Sequence, residues 1–168
     1  MIMKKTLSFL LFIFCVFSSQ AEIIKTKVKS DAMNKDIPCV IITPTNYNPS
    51  ATYPVIYLLH GYGGNQNTWP DIKKDLSQTA TQDSIIFVCP NGENSWDSPF
   101  NKESQFETFI SKELVSYVDK NFSTRNDRTG RAITGLSMGG HGALWLAIRH
   151  QDIFGAAGST SGGGDIRP

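Results

Sequence analysis

The pentapeptide Gly135-Leu136-Ser137-Met138-Gly139, which fits the pattern G-x-S-x-G, restricts the fold of this chain more than any other feature. It follows the short strand-like run Arg131–Gly135 and precedes the helix-like segment Ala143–Ile148. Between a strand and a helix, this pattern predicts a sharp turn that lifts the serine oxygen above the sheet edge, beside a helix N-terminus that favours negative charge. The flanking glycines let neighbouring backbone approach without a Cβ clash. Taken alone, the pentapeptide also fits a glycine-rich turn without a chemical role.

A second glycine-rich segment, His60-Gly61-Tyr62-Gly63-Gly64, directly follows the continuous apolar run Pro54–His60. Stabilising the oxyanion formed by attack of an elbow serine takes two backbone N–H groups, and the loop after an earlier strand supplies one of them. The two motifs occur in the order that this chemistry requires. Together they favour a nucleophilic serine over two unrelated turns.

Strand-like and helix-like segments alternate along the chain, which predicts a layered α/β fold with a mostly parallel sheet flanked by helices. One helix is predicted from Thr68, with Ile72 and Leu76 on one side. A longer helix is predicted after a Ser104/Glu107 capping box. Its buried face comprises Phe106, Phe109, Ile110, Leu114 and Val118. The predicted strands are Glu22–Lys29, Ile37–Thr43, Pro54–His60, Ser84–Cys89, Arg131–Gly135 and Phe154–Gly158.

Residues 1–21 are predicted to be a signal peptide. Lys4 and Lys5 precede the apolar run Leu7–Phe17, and Ser19-Gln20-Ala21 then places small residues before a cleavage site at Glu22. The apolar run is shorter than the about 20 residues that span a bilayer. Phe14 stands before Cys15, where a lipid-anchor signal needs a small residue. We therefore expect export to the periplasm or the extracellular space, without a stable membrane anchor.

The composition excludes some classes of function. The formal net charge is +1 and Lys and Arg form no cluster, so nothing predicts a nucleic-acid partner. No metal-ligand cluster or nucleotide-binding loop is recognisable, and we expect no cofactor. Cys39 and Cys89 remain after cleavage. An exported protein can oxidise such a pair, but both lie in apolar runs, which favours two buried thiols.

The chain resembles the esterase D group of α/β-hydrolases, which includes S-formylglutathione hydrolases, feruloyl and acetylxylan esterases, and mycolyltransferases. The resemblance covers about residues 37–164. It rests on four segments: YPVIYLLHGYGG (53–64), IIFVCPNG (85–92), ELVSYVDKNF (113–122) and RAITGLSMGGHGAL (131–144). It implies that Ser137 is the nucleophile, that the N–H groups of Tyr62 and Met138 form the oxyanion hole, and that Trp96 borders the substrate pocket.

The sequence departs from this group after Ser137. In this fold an Asp or Glu and then a His follow the nucleophile, but here no histidine follows Asp152 or Asp165. His141 lies one helical turn beyond the serine, and packing under the elbow is favoured over a role as base. His150 is too far along the same helix, and His60 is expected to hold its loop. The sequence therefore predicts the N-terminal portion of a single α/β-hydrolase domain (residues 22–168), with the last strands and the catalytic acid and base missing.

The resemblance and the predicted export together favour hydrolysis of carbohydrate-linked acetyl or feruloyl esters. Alternatives are an acyltransferase of the same fold and a non-catalytic, carbohydrate-binding relative. Tyr62, Trp69 and Trp96 are candidate sugar platforms for the second alternative. The expected partner is an ester of a small molecule or a polysaccharide, and the sequence carries no signal for an oligomeric state.

Overall fold

A single six-stranded sheet organises the part of the chain that the computed structural model describes, residues 21–96 and 104–163. In space the strands follow the order β1-β2-β4-β3-β5-β6. β1 and β2 pair antiparallel, β2 pairs antiparallel with β4, and the other neighbours are parallel. The bounds are β1 Ile23–Ser30, β2 Lys35–Ile42, β3 Val55–Leu59, β4 Ile86–Pro90, β5 Arg131–Leu136 and β6 Ala156–Thr160.

Helices cover both faces of this sheet, which is why the central strands β3 and β4 are continuously apolar. One face packs against the helical residues 106–121 and the helix that follows Ser137. The other face packs against residues from two short helices, among them Leu76 and Ala80. The mostly parallel sheet with flanking helices confirms the fold class expected from the alternating pattern.

The first helical region differs from the single helix predicted from Thr68. The chain forms α1 (Thr68–Ile72) and α2 (Leu76–Asp83), because Lys73 leaves helical geometry at φ −116° and ψ 82°. Ile72 is 58% exposed while Leu76 is buried, so the two residues do not share one face. Thr68 is the first helical residue and not the cap. Its hydroxyl accepts the Asn65 N–H at 3.0 Å.

The predicted apolar face of the longer helix is confirmed. All five of its members are fully buried: Phe106, Phe109, Ile110, Leu114 and Val118. The helical run consists of α3 (Phe106–Thr108), a π-helical stretch (Phe109–Leu114) and α4 (Val115–Asn121). The predicted Ser104/Glu107 capping box is wrong. Gln105 occupies the N-cap without a side-chain bond, and Glu107 is instead bonded to the helix after Ser137.

The last helix, α5 (Met138–Arg149), starts directly after Ser137, five residues earlier than its apolar core suggested. β6 begins two residues later than predicted because Ala156 pairs with Ala132 of β5, while Phe154 is buried against the Tyr57 ring. Cys39 and Cys89 are free, buried thiols, as predicted, and the structure places them on opposite faces of the sheet. Burial raises the pKa of Cys39 to about 12.

Several predictions concern residues outside the described ranges. Residues 1–20 of the predicted signal peptide, with Cys15 among them, and Asp165 lie outside these ranges. Within the described ranges, no helix has the length and apolar character needed to cross a bilayer.

Candidate active site

Ser137 lies in a strained turn between β5 and α5. Its backbone has φ 53° and ψ −117°, a combination that costs a non-glycine residue free energy. Two hydrogen bonds fix this conformation. The Ser137 N–H donates to the Thr160 carbonyl at 2.8 Å, and the His141 N–H donates to the Ser137 carbonyl at 3.0 Å. The side chain is exposed at the N-terminus of α5, which is the placement that a nucleophile needs.

Gly135 and Gly139 have a direct steric reason to be glycine. A Cβ atom on Gly135 would overlap the Gly139 backbone, and one on Gly139 would overlap the carbonyl oxygens of Leu59 and His60. Because no side chain intervenes, the first turn of α5 packs directly against the carboxyl end of β3. This contact brings Ser137 next to the loop that follows β3.

The loop of residues 60–64 lies beside the nucleophile. A Cβ atom built on Gly61 would be 3.5 Å from the Ser137 Cβ. Gly63 has φ +73°, and its N–H donates to the Asn94 side-chain oxygen at 3.0 Å, which ties the loop to residues 91–96. The Tyr62 side chain is 76% exposed to solvent. The loop therefore turns the backbone of Tyr62, and not its side chain, towards the protein. Met138 is the first residue of α5, and the first N–H groups of a helix have no acceptor within it.

His60 holds this loop from beneath, as predicted. It is fully buried, with Nδ1 2.7 Å from the Gly61 carbonyl oxygen. Its Nε2 accepts the Gly92 N–H at 2.9 Å, so the neutral ring carries its proton on Nδ1. Burial lowers the pKa of His60, and the bond to Gly61 opposes this only in part. The imidazole therefore stays neutral and joins the loops after β3 and β4.

Trp96 is a core residue in this structure. It is 1% exposed, and its ring lies against Gly92 and Gly142, where a Cβ atom would overlap it. Its Nε1–H donates to the His60 carbonyl at 3.0 Å. This burial does not support the predicted contact with substrate, which stays a prediction. Trp69 is half-buried and donates to the Leu59 carbonyl at 2.9 Å, so both indoles brace the end of β3.

His60 and His150 are not placed to act as a base for Ser137. The His141 Nδ1 is 2.9 Å from the Gly163 carbonyl oxygen. His150 does pair with a carboxylate, since its Nε2 is 2.9 Å from Glu107 Oε1. That pair lies at the far end of α5, about 20 Å from Ser137 at the rise of an α-helix. Asp152 is exposed beyond that helix end.

The Glu107 cluster is the arrangement that sequence reasoning missed. The Glu107 carboxylate accepts bonds from Trp145 Nε1 at 3.1 Å and from Arg149 Nε at 2.8 Å, besides its contact with His150. Trp145 and Arg149 are four residues apart, so they share one face of α5, which was visible in the sequence. Their partner on another helix was not, because Glu107 fitted a local capping pattern.

Comparison with known proteins identifies the family. Residues 30–166 match the family model Esterase, described as "Putative esterase", and the chain belongs to this family. Over 133 residues it is 35% identical to Esterase Rv1288 of Mycobacterium tuberculosis, which covers 76% of this chain and 29% of that protein. Over 122 residues it is 35% identical to an endo-1,4-beta-xylanase/feruloyl esterase of Xylanibacter ruminicola, which covers 66% of this chain and 17% of that protein.

Solved structures give the same classification. A ferulic acid esterase superposes with a TM-score of 0.75 at 28% identity, covering 84% of this chain and 57% of that one. The fold is therefore the α/β-hydrolase fold, and the resemblance to the esterase D group is confirmed. The chain spans less than a third of the length of the two curated relatives and just over half of this structure. Among the described residues, no group of three His, Cys, Asp or Glu side chains is arranged to hold a metal ion.

Proposed function

We propose that this chain provides the nucleophile and the oxyanion hole of a serine esterase that cleaves carboxylic esters. The observation that carries the proposal is the strained, exposed Ser137 at the start of α5, with Gly61 packed against it. Strain of this kind persists only where the surrounding structure enforces it, and it clusters at functional sites. The match to the Esterase family supports the same function.

In the proposed reaction, the Ser137 Oγ forms a bond to the ester carbonyl carbon while a base takes its proton. The carbonyl oxygen becomes an oxyanion, which the Tyr62 and Met138 N–H groups stabilise. The tetrahedral intermediate then expels the alcohol, which takes the proton back from the base. Water attacks the acyl-serine in the same way, releases the carboxylic acid and regenerates the serine.

We infer that the base for this proton transfer is none of the three histidines, because in this fold the base follows the acid in sequence and no histidine follows Asp152. Losing one member of a catalytic triad can leave only about 10³–10⁴-fold catalysis over water. We therefore expect the 168-residue chain alone to turn over esters very slowly.

For the substrate class we propose carbohydrate-linked acetyl or feruloyl esters. The Xylanibacter ruminicola relative is named a xylanase/feruloyl esterase, and the superposed structure is named a ferulic acid esterase. The leader-like residues 1–21 support export to the periplasm or the extracellular space. In such polymers the ester is carried on a side group. A nucleophile that is exposed at the edge of the sheet is accessible to such a group.

The test measures ester cleavage by the purified chain with added imidazole, which supplies the missing base from solution. Release of nitrophenol from 4-nitrophenyl acetate, and of ferulate from methyl ferulate, is compared with protein-free buffer of the same composition. We expect release above this background for the native chain and for Ser116→Ala, an exposed serine on α4. Ser137→Ala should fall to background. A Ser137→Ala variant as active as the native chain would overturn the proposal.

A further inference from the structure

A groove of about 400 Å³ lies beside the first two strands and has no part in the site described above. One wall is formed by β1 and the opposite wall by the residues that lead into α1, with β2 as the floor. Its lining residues are Lys25, Thr26, Lys27, Pro38, Cys39, Val40, Gln66 and Asn67.

The polar groups of this groove are suited to an anion. Lys25 and Lys27 are exposed and, two residues apart on a strand, project from the same face of β1. No carboxylate lines the groove, and no ion pair joins either lysine to a described acid. Lys29, the next residue on that face, instead pairs with Asp31 at 3.3 Å. Gln66 and Asn67 add amide donors on the opposite side.

The groove opens at the same edge of the sheet as the nucleophile. Ser137 follows β5, His60 follows β3 and Asn91 follows β4, so all three stand at the carboxyl ends of parallel strands. The Asn91 N–H donates to the Pro38 carbonyl at 2.9 Å, and Pro38 pairs with Lys27, which places both at this edge. β1 is four strands from β5, and neighbouring strands lie about 4.8 Å apart, so the groove is roughly 19 Å from Ser137.

A single continuous segment of the chain leads from the nucleophile to the groove. The loop of residues 60–64, which contacts Ser137, leads directly to Gln66 and Asn67. The Gly64 N–H donates to the Gly61 carbonyl at 3.0 Å, and the Asn65 N–H donates to the Thr68 hydroxyl at 3.0 Å. A ligand that occupies both places must be extended, because a small ester cannot span roughly 19 Å.

We propose that this groove binds a carboxylate-bearing sugar, a uronic acid unit, of the polysaccharide whose ester is presented to Ser137. The two ammonium groups and the amides would hold the carboxylate, and the half-buried Pro38 would contact the sugar ring. This inference rests on the proposed function, since it defines the polymer as an acidic one. Binding at the groove should also relieve the repulsion between the two neighbouring lysines.

The test is calorimetric titration of the full chain with two probes of equal length: a xylo-oligosaccharide carrying one 4-O-methylglucuronic acid, and its unsubstituted counterpart. We expect tighter binding of the acidic probe, weakened by added salt. The double variant Lys25→Gln/Lys27→Gln should lose about tenfold in affinity for the acidic probe only. Lys29→Gln, on the same face but outside the groove, is the matched control and should bind as the native chain does. Circular dichroism checks that all variants are folded.

Equal affinity for the two probes would overturn the inference, as would an equal loss in Lys29→Gln. Free glucuronate is titrated as well. If it binds as tightly as the acidic oligosaccharide, the groove is a small-anion site and the polymer assignment is wrong. Failure of ester cleavage with intact probe binding would thus contradict the proposed function while leaving the groove assignment standing.

Discussion

His60 links three parts of the site, two through its neutral ring and one through its backbone carbonyl. Its two nitrogens bond to Gly61 and Gly92, and its carbonyl oxygen accepts the Trp96 indole N–H. The sequence showed a histidine after a buried strand, which was enough to predict a role in holding the loop. It did not show that Trp96 would be buried beside it, because an aromatic residue in a polar loop fits a pocket wall equally well.

We expect His60→Ala to lower the free energy of unfolding by about 2 kcal/mol, because it leaves the buried Gly92 N–H without a partner. Urea denaturation followed by circular dichroism measures this. Tyr62→Ala, which removes an exposed ring from the same loop, is the control and should cost less than about 0.5 kcal/mol. Equal losses in the two variants would contradict the role given to His60.

The same residue predicts a dependence of stability on pH. Burial lowers the pKa of His60 below its usual 6.5, so the unfolded chain takes up a proton at a higher pH than the native one. Its contribution is complete above pH 6.5 and is lost as the pH falls through the lowered pKa. The free energy of unfolding should therefore fall less steeply between about pH 7 and 5 in His60→Asn than in the native chain. Parallel slopes would refute this.

Among the elements, the strands were predicted better than the helices. β3 and β4 are buried on both faces, so each is an unbroken apolar run in the sequence. The break between α1 and α2 was missed because Ile72 and Leu76 have helical spacing in sequence, whereas Lys73 leaves helical geometry. The π-helical stretch was missed for a related reason. Apolar steps of three and four residues do not distinguish its wider turns from α-helix.

Glu107 connects the helical run 106–121 to α5, the helix that carries Ser137. Burial would raise its pKa, but the bonds from Arg149, Trp145 and His150 outweigh this and lower it. We expect Glu107→Gln to lower the free energy of unfolding by about 2 kcal/mol at pH 7, because a neutral amide cannot replace the charged acceptor. Thermal or urea unfolding measures the change.

Glu93→Gln is the matched control, since Glu93 makes only a surface pair with Lys35, and we expect a loss below about 1 kcal/mol. Because the Glu107 carboxylate is stabilised in the native state, its contribution is present above its usual pKa of 4.5 and lost as the pH falls through the lowered value. The native and Glu107→Gln chains should thus approach each other in stability below about pH 4. A constant difference down to pH 3 would contradict this account.

At the scale of the whole molecule, the two outer strands of the sheet differ in their protection. β1 carries Lys25, Lys27 and Lys29 on one face, and lysines on an edge strand oppose pairing with another chain. β6 has no charged residue, and most of its residues are exposed. The apolar side chains of Leu144 (39% exposed) and Ile148 (68% exposed) lie in the groove that reaches its start.

We therefore expect the chain to self-associate through β6 as its concentration rises. Light scattering after size-exclusion chromatography should show a growing mean mass. Ala157→Lys, which adds a charge to this strand, should suppress the growth. Ser116→Lys adds the same charge on α4 and should not. If both lysine variants suppress association equally, net charge and not the β6 edge is responsible.

The site was predictable where local sequence determines it. Gly135, Ser137 and Gly139 lie in one turn, and the loop at residues 60–64 directly follows an apolar strand. Each motif is therefore recognisable from a short stretch of sequence, and the two together indicated one site. The Glu107–His150 pair joins residues 43 positions apart on different elements, and local patterns carry no information about such a contact. For the same reason, the groove between β1 and residues 66–67 could not be foreseen.

Covalent labelling with a fluorophosphonate, followed by peptide mass spectrometry, shows whether Ser137 is the nucleophile. The reagent phosphonylates an activated serine and is unaffected by background ester hydrolysis. With added imidazole as base, we expect one labelled peptide, modified at Ser137, in the native chain and in Ser116→Ala, and none in Ser137→Ala. Labelling at another serine, or an equal extent of labelling in Ser137→Ala, would show that Ser137 is not the nucleophile.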